Sequence, residues 1–473
     1  MSKLVKIRFG TSGWRAIMAD TFTFKNVCLV SQAIADHLKS KSSSPKVIIG
    51  YDTRFMSGNF AKICAQVLAA NNIKVLLADR DTPTPAIAFH IIAKSLDGGI
   101  NFTASHNPPE YNGIKFSPRY GGPAPKEVTT AIEKRISFLQ KNPGSIKKGV
   151  MDERFIEIFD PRKDYLKRLK KIIDISVIKK ANLKVGIDCM FGTSRDYIDL
   201  ILKDLCKEIK VFKDYLNPLF GGFPPEPDKP YIKELISHVK NSKFHLGVSC
   251  DGDADRFGIV DKDGVFLTPN EVITLLFYYL LKTRPKAKKV ARTLSTTHMI
   301  DAIAAKEGIE VIETPVGFKY LGEALNAGDC IIGGEESGGL SIQGHVPEKD
   351  GILACLLVVE MVARQKKSLR SILSSLHKKY GYFVSDRLNL HLTQVQKDIL
   401  LRRIGKLAKS NKFGDFKIVS KNLTDGYKFI LNDDCWVMFR PSGTEPVLRC
   451  YFETTSDKKM LYLKRLIKEF TSC

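Results

Sequence analysis

The chain is predicted to be α/β, with three related α/β domains followed by a smaller C-terminal α+β domain. Three observations carry this. A strand, helix, strand rhythm starts three times along the first 380 residues, the last hundred instead alternate like antiparallel strands, and 473 residues are too many for one ordinary hydrophobic core. The expected domains are residues 1–150, 151–264, 265–378 and 379–473.

In the first, Lys46-Val47-Ile48-Ile49-Gly50 and Ile73-Lys74-Val75-Leu76-Leu77 are β-branched and aliphatic runs that end at polar turns. Between them Phe60, Ile63, Cys64, Val67 and Leu68 recur at helical spacing. Such a unit implies parallel strands with right-handed crossovers, and function at the carboxyl ends of those strands. The second domain shows a strand over 183–188, a helix over 197–206 and a closing strand over 244–250. The third begins at Pro269, with a helix over 273–281, strands over 289–293 and 330–333, and a helix over 352–364. In the tail, a strand over 382–390 precedes a helix over 393–410, paired strands over 426–431 and 436–440, and a terminal helix over 458–470. Lys379-Tyr380-Gly381 marks the joint.

Composition narrows the function classes. Hydrophobic residues at 44% and charged ones at 26% describe a soluble globular chain. The formal charge of +23 favours anionic partners, yet the lysines are dispersed, densest over 162–184, and no aromatic-interleaved basic motif of the RNA-binding type is present. Nucleic acid is therefore not the expected partner. The ten cysteines form neither a Cys-x-x-Cys pair nor a zinc-spaced cluster, which suits reduced thiols in a cytoplasmic enzyme. Charges interrupt the first residues, and the longest apolar runs, 272–281 and 352–363, are too short to span a membrane, so neither a signal peptide nor a membrane partner is expected.

The chain is organised around Thr103-Ala104-Ser105-His106-Asn107-Pro108-Pro109. It reads as a serine on an exposed turn at the end of a buried strand, because each proline pushes its predecessor out of the helical region. Three roles are open to Ser105. A hydrolase nucleophile with His106 as base is disfavoured, since the Gly-x-Ser-x-Gly elbow is absent. A structural turn serine needs nothing else. A phosphoserine that gives and recovers a phosphoryl group requires a divalent cation and fixed positive charge from elsewhere in the chain.

Both are present. Asp251-Gly252-Asp253-Ala254-Asp255-Arg256 follows a strand and puts three carboxylates at alternate positions of a tight loop, where they can face one hard cation. An ordinary acidic turn needs one or two. Arg440-Pro441-Ser442-Gly443-Thr444 also follows a strand and offers a guanidinium, hydroxyls and an approachable backbone to a phosphate. Gly333-Gly334-Glu335-Glu336-Ser337-Gly338-Gly339 is an acidic, glycine-flanked loop suited to sugar hydroxyls, with Gly317, Lys319, His345 and Lys349 on motifs at either side. Phe9-Gly10-Thr11-Ser12-Gly13-Trp14-Arg15 joins glycines and hydroxyls to an arginine.

Together and in this order, these stretches resemble the α-D-phosphohexomutase family, the phosphoglucomutases and phosphomannomutases, over nearly the whole chain. The resemblance implies four domains around one positive cleft. It makes Ser105 the phosphoserine, with Asp251, Asp253 and Asp255 holding Mg²⁺ together with its phosphoryl oxygen. Arg256, Arg15, Lys115 and His106 become catalytic residues, with Lys115 for proton transfer or charge stabilisation. Glu335, Ser337, Gly317, Lys319, His345 and Lys349 become sugar contacts, and Arg440, Ser442, Gly443 and Thr444 the grip on the phosphate that is not transferred. The implied reaction interconverts hexose 1-phosphate and hexose 6-phosphate through a hexose 1,6-bisphosphate, which is both intermediate and activator.

Within the family, Glu335-Glu336-Ser337 looks more like members acting on glucose than the Glu-Gln-Ser of phosphoglucosamine mutases or the Glu-Met-Ser of many dual glucose/mannose enzymes. Many of the latter also carry a histidine where Gly339 stands, and His345 is a possible substitute. The rival readings from other classes are a nucleic-acid-binding protein and a silent scaffold, which would normally have lost Ser105, an aspartate or Arg440.

Overall fold

The computed structural model describes the chain except residues 1–5, 11, 285–286, 442–446 and 473. The described residues form four sheets. In the first, Lys46–Tyr51 pairs in parallel with Gly98–Phe102 and Lys74–Ala78, and Tyr111–Pro118 runs antiparallel between Gly98–Phe102 and Trp14–Ile17. Ser105 therefore follows a strand buried along its whole length.

The first sheet takes its last strand from beyond the expected boundary. Ile156–Phe159 pairs in parallel with Lys74–Ala78, so the domain reaches past residue 150. The second sheet likewise takes a strand from beyond residue 264. The strand over 244–250 is observed as Leu246–Cys250 and does not close its sheet, because Phe257–Asp261 and Val265–Leu267 follow as an antiparallel meander, turning at Asp263 and Gly264. Pro269, with Thr268 capping and Glu271 completing the capping box, then starts the next helix. In both cases a short, partly exposed strand is fixed by its pairing partner rather than by its own pattern.

The third sheet orders its strands Glu310–Thr314, Lys289–Thr293, Cys330–Glu335 and Gly339–Ile342, and the first and last were not expected. The helix Gly351–Gln365 is buried from Gly351 through Ala363. One apolar cluster joins its side chains to Val185, Leu246 and Val248 of the second sheet and Ile332 and Leu340 of the third. The second and third domains thus share a core. The fourth is a separate antiparallel sheet, covered by the helices Gln394–Leu407 and Asp457–Thr471, and Gly381 at φ +109° leads into it.

Candidate active site

Beyond Phe102 the chain cannot continue its strand. Ser105 adopts φ +52°, a left-handed conformation that costs a residue with a Cβ, and its N–H donates to Thr103 Oγ1 at 2.8 Å. The turn is not exposed as the sequence suggested: Ser105 retains 1% of its accessible surface. The aspartate hairpin folds over it. Gly252 makes this possible, since a Cβ there would lie 2.9 Å from both the Ser105 carbonyl oxygen and Pro225.

The hairpin between Leu246–Cys250 and Phe257–Asp261 presents the three carboxylates. Asp251 Oδ2 accepts from Ser105 Oγ at 2.7 Å, and Asp251 Oδ1 from the Arg256 N–H at 2.9 Å. Asp253 Oδ2 accepts from Lys115 Nζ and Thr84 Oγ1, both at 2.6 Å. Asp255 Oδ2 lies 2.8 Å from Lys115 Nζ and 3.1 Å from Lys349 Nζ. One oxygen of each aspartate lies within 4.8 Å of the others. Among the described residues Asp253 Oδ1 and Asp255 Oδ1 have no partner although buried. Buried, unpartnered carboxylate oxygens are costly, and a hard divalent cation is the group that this donor set fits.

The electrostatics agree. Burial, with the charges of Asp253 and Asp255, pushes the Asp251 carboxyl well above the usual range. Burial acts on Asp255 too, but Lys115, Lys349 and Arg256 outweigh it and hold that carboxyl low. Lys115 stays charged for the converse reason, its desolvation being overcome by Asp253 and Asp255. As found here its amine is held in the charged form.

Around the serine, Arg15 Nη1 donates to Asn107 Oδ1 at 2.6 Å, and Arg256 Nη1 lies 3.6 Å from Glu226. Arg256 Nε is a buried donor with no partner among the described residues, as a site awaiting an anion would show. His106 Nδ1 is 3.4 Å from Ser105 Oγ, and burial together with Arg256 and Arg15 keeps the ring neutral.

In the acidic loop Ser337 Oγ donates to Glu335 Oε1 at 2.7 Å, while Glu336 Oε1 meets Arg387 Nη1 of the fourth domain at 3.3 Å. A cavity of about 210 Å³ lies between Arg256, Glu336, Ser337, Arg387 and Tyr451. Lys349 is drawn under the loop to Asp255, and its side chain fills the space that a Cβ on Gly339 would need. A histidine has no room there. Nor does His345 take its place as a sugar contact: its fully enclosed side chain bonds Asp350 Oδ2 at 2.7 Å, an oxygen that also accepts from Tyr165. Gly317, at φ +134°, precedes the helix Phe318–Asn326, and Lys319 Nζ packs 4.5 Å from the Tyr320 ring. Arg440 Nε donates to Asp425 Oδ2 at 3.0 Å, and Ser442, Gly443 and Thr444 lie outside the described residues.

The sequence reading missed Arg54 and Asp52, which lie beneath the serine turn. Their signal, Asp52-Thr53-Arg54 at the carboxyl end of a parallel strand, was present in the position that favours function.

Profiles of phosphoglucomutase/phosphomannomutase domains match in order: α/β/α domain I over residues 6–142, domain II over 163–264, domain III over 268–380 and the C-terminal domain over 389–469. The chain belongs to the phosphoglucomutase/phosphomannomutase family. Similar relatives span the same length. A phosphoglucomutase/phosphomannomutase of Thermococcus kodakarensis is 32% identical over 95% of each chain, and a phosphoglucomutase of Komagataeibacter xylinus is 30% identical over 98% of this chain and 90% of its own. A phosphoglucosamine/phosphogalactosamine mutase of Sulfurisphaera tokodaii is 29% identical over 95% of each. A solved structure from Thermus thermophilus, described as a phosphomannomutase, superposes with a TM-score of 0.86 at 30% identity, covering 98% of this chain and 99% of that one. The four-domain family architecture is the one seen here, and no helix among the described residues is long and apolar enough to cross a membrane.

Proposed function

We propose that this family member is a cytoplasmic phosphoglucomutase, interconverting glucose 1-phosphate and glucose 6-phosphate through a phosphorylated Ser105 and glucose 1,6-bisphosphate. The observation that carries the reading is the incomplete cluster at the serine: Ser105 Oγ is 2.7 Å from Asp251, while Asp253 Oδ1, Asp255 Oδ1 and Arg256 Nε are buried without partners among the described residues. Two unused anionic oxygens and one unused cationic donor suit a cation and a phosphoryl group bound together.

In the forward step the phosphorus–oxygen bond to Ser105 breaks as the bond to the sugar hydroxyl forms. The sugar hydroxyl gives up its proton and the departing Ser105 oxygen takes one up; we assign proton transfer or charge stabilisation to Lys115, and His106 stands 3.4 Å from Ser105 Oγ. The bisphosphate then returns its other phosphoryl to Ser105. Asp251, Asp253 and Asp255 would hold Mg²⁺, which neutralises charge on the phosphoryl oxygens when bound. Lys115 and Lys349 hold Asp255 ionised, and Arg256 and Arg15 face the transferring group. Glu335 and Ser337 bind sugar hydroxyls, with Gly317 and Lys319 as further sugar contacts. Arg440, Ser442, Gly443 and Thr444 grip the other phosphate. The preference for glucose rests on Glu335-Glu336-Ser337.

The test is Mg²⁺-dependent conversion of glucose 1-phosphate with a trace of glucose 1,6-bisphosphate, beside mannose 1-phosphate, glucosamine 1-phosphate and a Ser105→Ala control. Glucose turnover that vanishes in the control is expected. Turnover of mannose or glucosamine phosphate instead would keep the phosphoserine and overturn the sugar choice. Inertness towards all three would overturn the enzyme reading.

A further inference from the structure

We propose that Arg54 is a positioning residue for the phosphoryl-carrying serine, a single buried guanidinium that sets the conformation of the whole 105–111 turn. The proposal rests on the phosphoserine reading of Ser105. All five N–H groups of Arg54 are accounted for. Nη2 donates to the carbonyl oxygens of Ser105 at 2.6 Å and Asn107 at 2.5 Å, Nη1 to those of Pro108 at 2.7 Å and Tyr111 at 3.0 Å, and Nε to Asp52 Oδ2 at 3.1 Å. Four carbonyls of one turn thus converge on one side chain that is 3% exposed.

Other hydrogen bonds tie the turn at single points: the Asn107 N–H donates to the Ala104 carbonyl and the Tyr111 N–H to the Pro108 carbonyl, both at 3.1 Å, the Met18 N–H to the Glu110 carbonyl at 2.9 Å, and Arg15 to Asn107 Oδ1, whereas Arg54 alone gathers four of its carbonyls. Two prolines remove N–H donors, and the left-handed backbone at Ser105 persists only where its surroundings over-determine it. A planar, five-donor fork can do this. A lysine, with three donors on a point charge, cannot reproduce it. Arg54 is itself anchored from below, because Asp52 Oδ1 accepts from the Arg54 N–H at 3.0 Å and from Ser57 Oγ at 2.8 Å, and Ser57 Oγ accepts from Asn112 at 2.9 Å. Its guanidinium also lies 5.0 Å from the centre of the Phe220 ring, on a second-domain loop. It donates to the backbone of Ser105 and not to its reacting oxygen, so its effect is on where that oxygen points.

The experiment compares the wild type with Arg54→Lys and with Val47→Ala, a first-domain core change that lowers stability away from the site. Phosphorylation of Ser105 by glucose 1,6-bisphosphate is followed by intact mass, and kcat and KM are measured per phosphorylatable site. A misplacement near 1 Å costs roughly 10²-fold in rate. Arg54→Lys is therefore expected to lose about 10²-fold in kcat and in phosphorylation rate, with KM within about 3-fold. Val47→Ala should lower the melting temperature while keeping kcat per site. The proposal is overturned if Arg54→Lys keeps kcat per site like the core variant. Should Arg54→Lys fail to fold, hydrogen exchange of the wild-type segment 103–112 decides. Protection matching the strand Gly98–Phe102 is expected, and exchange at free-loop rates overturns the proposal. A wild type that never takes up phosphoryl overturns the phosphoserine reading instead.

Discussion

Two dense charge clusters stand out in this molecule, one buried and one at a partly exposed seam, and they are built in opposite ways. At the serine, three aspartates crowd within 4.8 Å and leave Asp253 Oδ1 and Asp255 Oδ1 unused. At the seam between the third and fourth domains, Arg292 donates to Asp301 at 2.6 and 2.7 Å and to Glu313 at 2.6 Å. Lys428 there reaches Glu313 at 3.0 Å and His298 Nε2 at 2.9 Å, and its ammonium lies 4.7 Å from the centre of the Trp436 ring. The orphaned oxygen at this seam, Glu453 Oε2, belongs to a carboxyl that burial pushes towards the neutral form. Both contain cations, but in the first Lys115 and Lys349 meet only one oxygen of Asp253 and of Asp255, whereas in the second Arg292 and Lys428 meet Asp301 and Glu313 directly. Similar residues thus make a cluster that could hold a metal in one place and a closed joint in the other, and the unused oxygens of ionised carboxylates tell them apart.

The largest expected effect breaks the open cluster. Removing divalent cations with a chelator should lower turnover by roughly 10³-fold or more, on the order of 4 kcal/mol of lost charge stabilisation. Restoring Mg²⁺ at a hundred times its dissociation constant should stabilise the fold by about 2.7 kcal/mol, since only the folded chain assembles the site. In Asp253→Asn the Mg²⁺-dependent rise in melting temperature should shrink. An equal rise in wild type and variant would place the cation elsewhere.

Breaking the closed cluster should look different. Glu313→Gln leaves Arg292 and Lys428 sharing less negative charge in a buried setting. The expected loss is about 2 kcal/mol of stability, less than a fully buried pair would lose because 31% of the Glu313 side chain is exposed. Denaturant unfolding would register this as a lower midpoint, with the Mg²⁺ response untouched. A variant that changed Mg²⁺ affinity instead would couple the two clusters and end the contrast between them.

The open cluster was far more legible in the sequence than the closed one. Ser105 and the three aspartates stand on short loops after strands, where their side-chain types and spacing have few structural explanations. Arg292, Glu313 and Lys428 come from three different strands, and only tertiary pairing brings them together. Arg54 stands in a readable position at the carboxyl end of a parallel strand, but its task is not readable, because its partners are main-chain oxygens some fifty residues away. The fold behaved alike. Long strands and helices such as Lys46–Tyr51 and Gly351–Gln365 were readable from their hydrophobic runs, whereas Ile156–Phe159 and Val265–Leu267 extend their sheets only because a neighbouring strand offers an edge. His345 misled because a histidine between two functional loops resembles a ligand contact until Asp350 is found beside it.

The smallest effect sharpens the contrast through pH. Burial, then the nearby Arg292 charge, lowers the Lys428 ammonium to about 8, although Glu313 and Asp301 act in the other direction. Unfolded, the same group titrates near 10.4. Between these values the unfolded chain binds one more proton than the folded one, so this residue makes stability rise as pH increases from about 8 towards 10.4, by at most about 1.4 kcal/mol per pH unit. Below pH 8 both states are protonated and the slope disappears. The stability of Lys428→Met relative to the wild type should therefore be flat below pH 8 and fall above it, as the wild type gains a stabilisation that the variant cannot. Parallel stability curves from pH 7 to 10 would mean that the seam keeps its ammonium charged, and that Glu313 compensates it as fully as Lys115 is compensated by the aspartates at the active site.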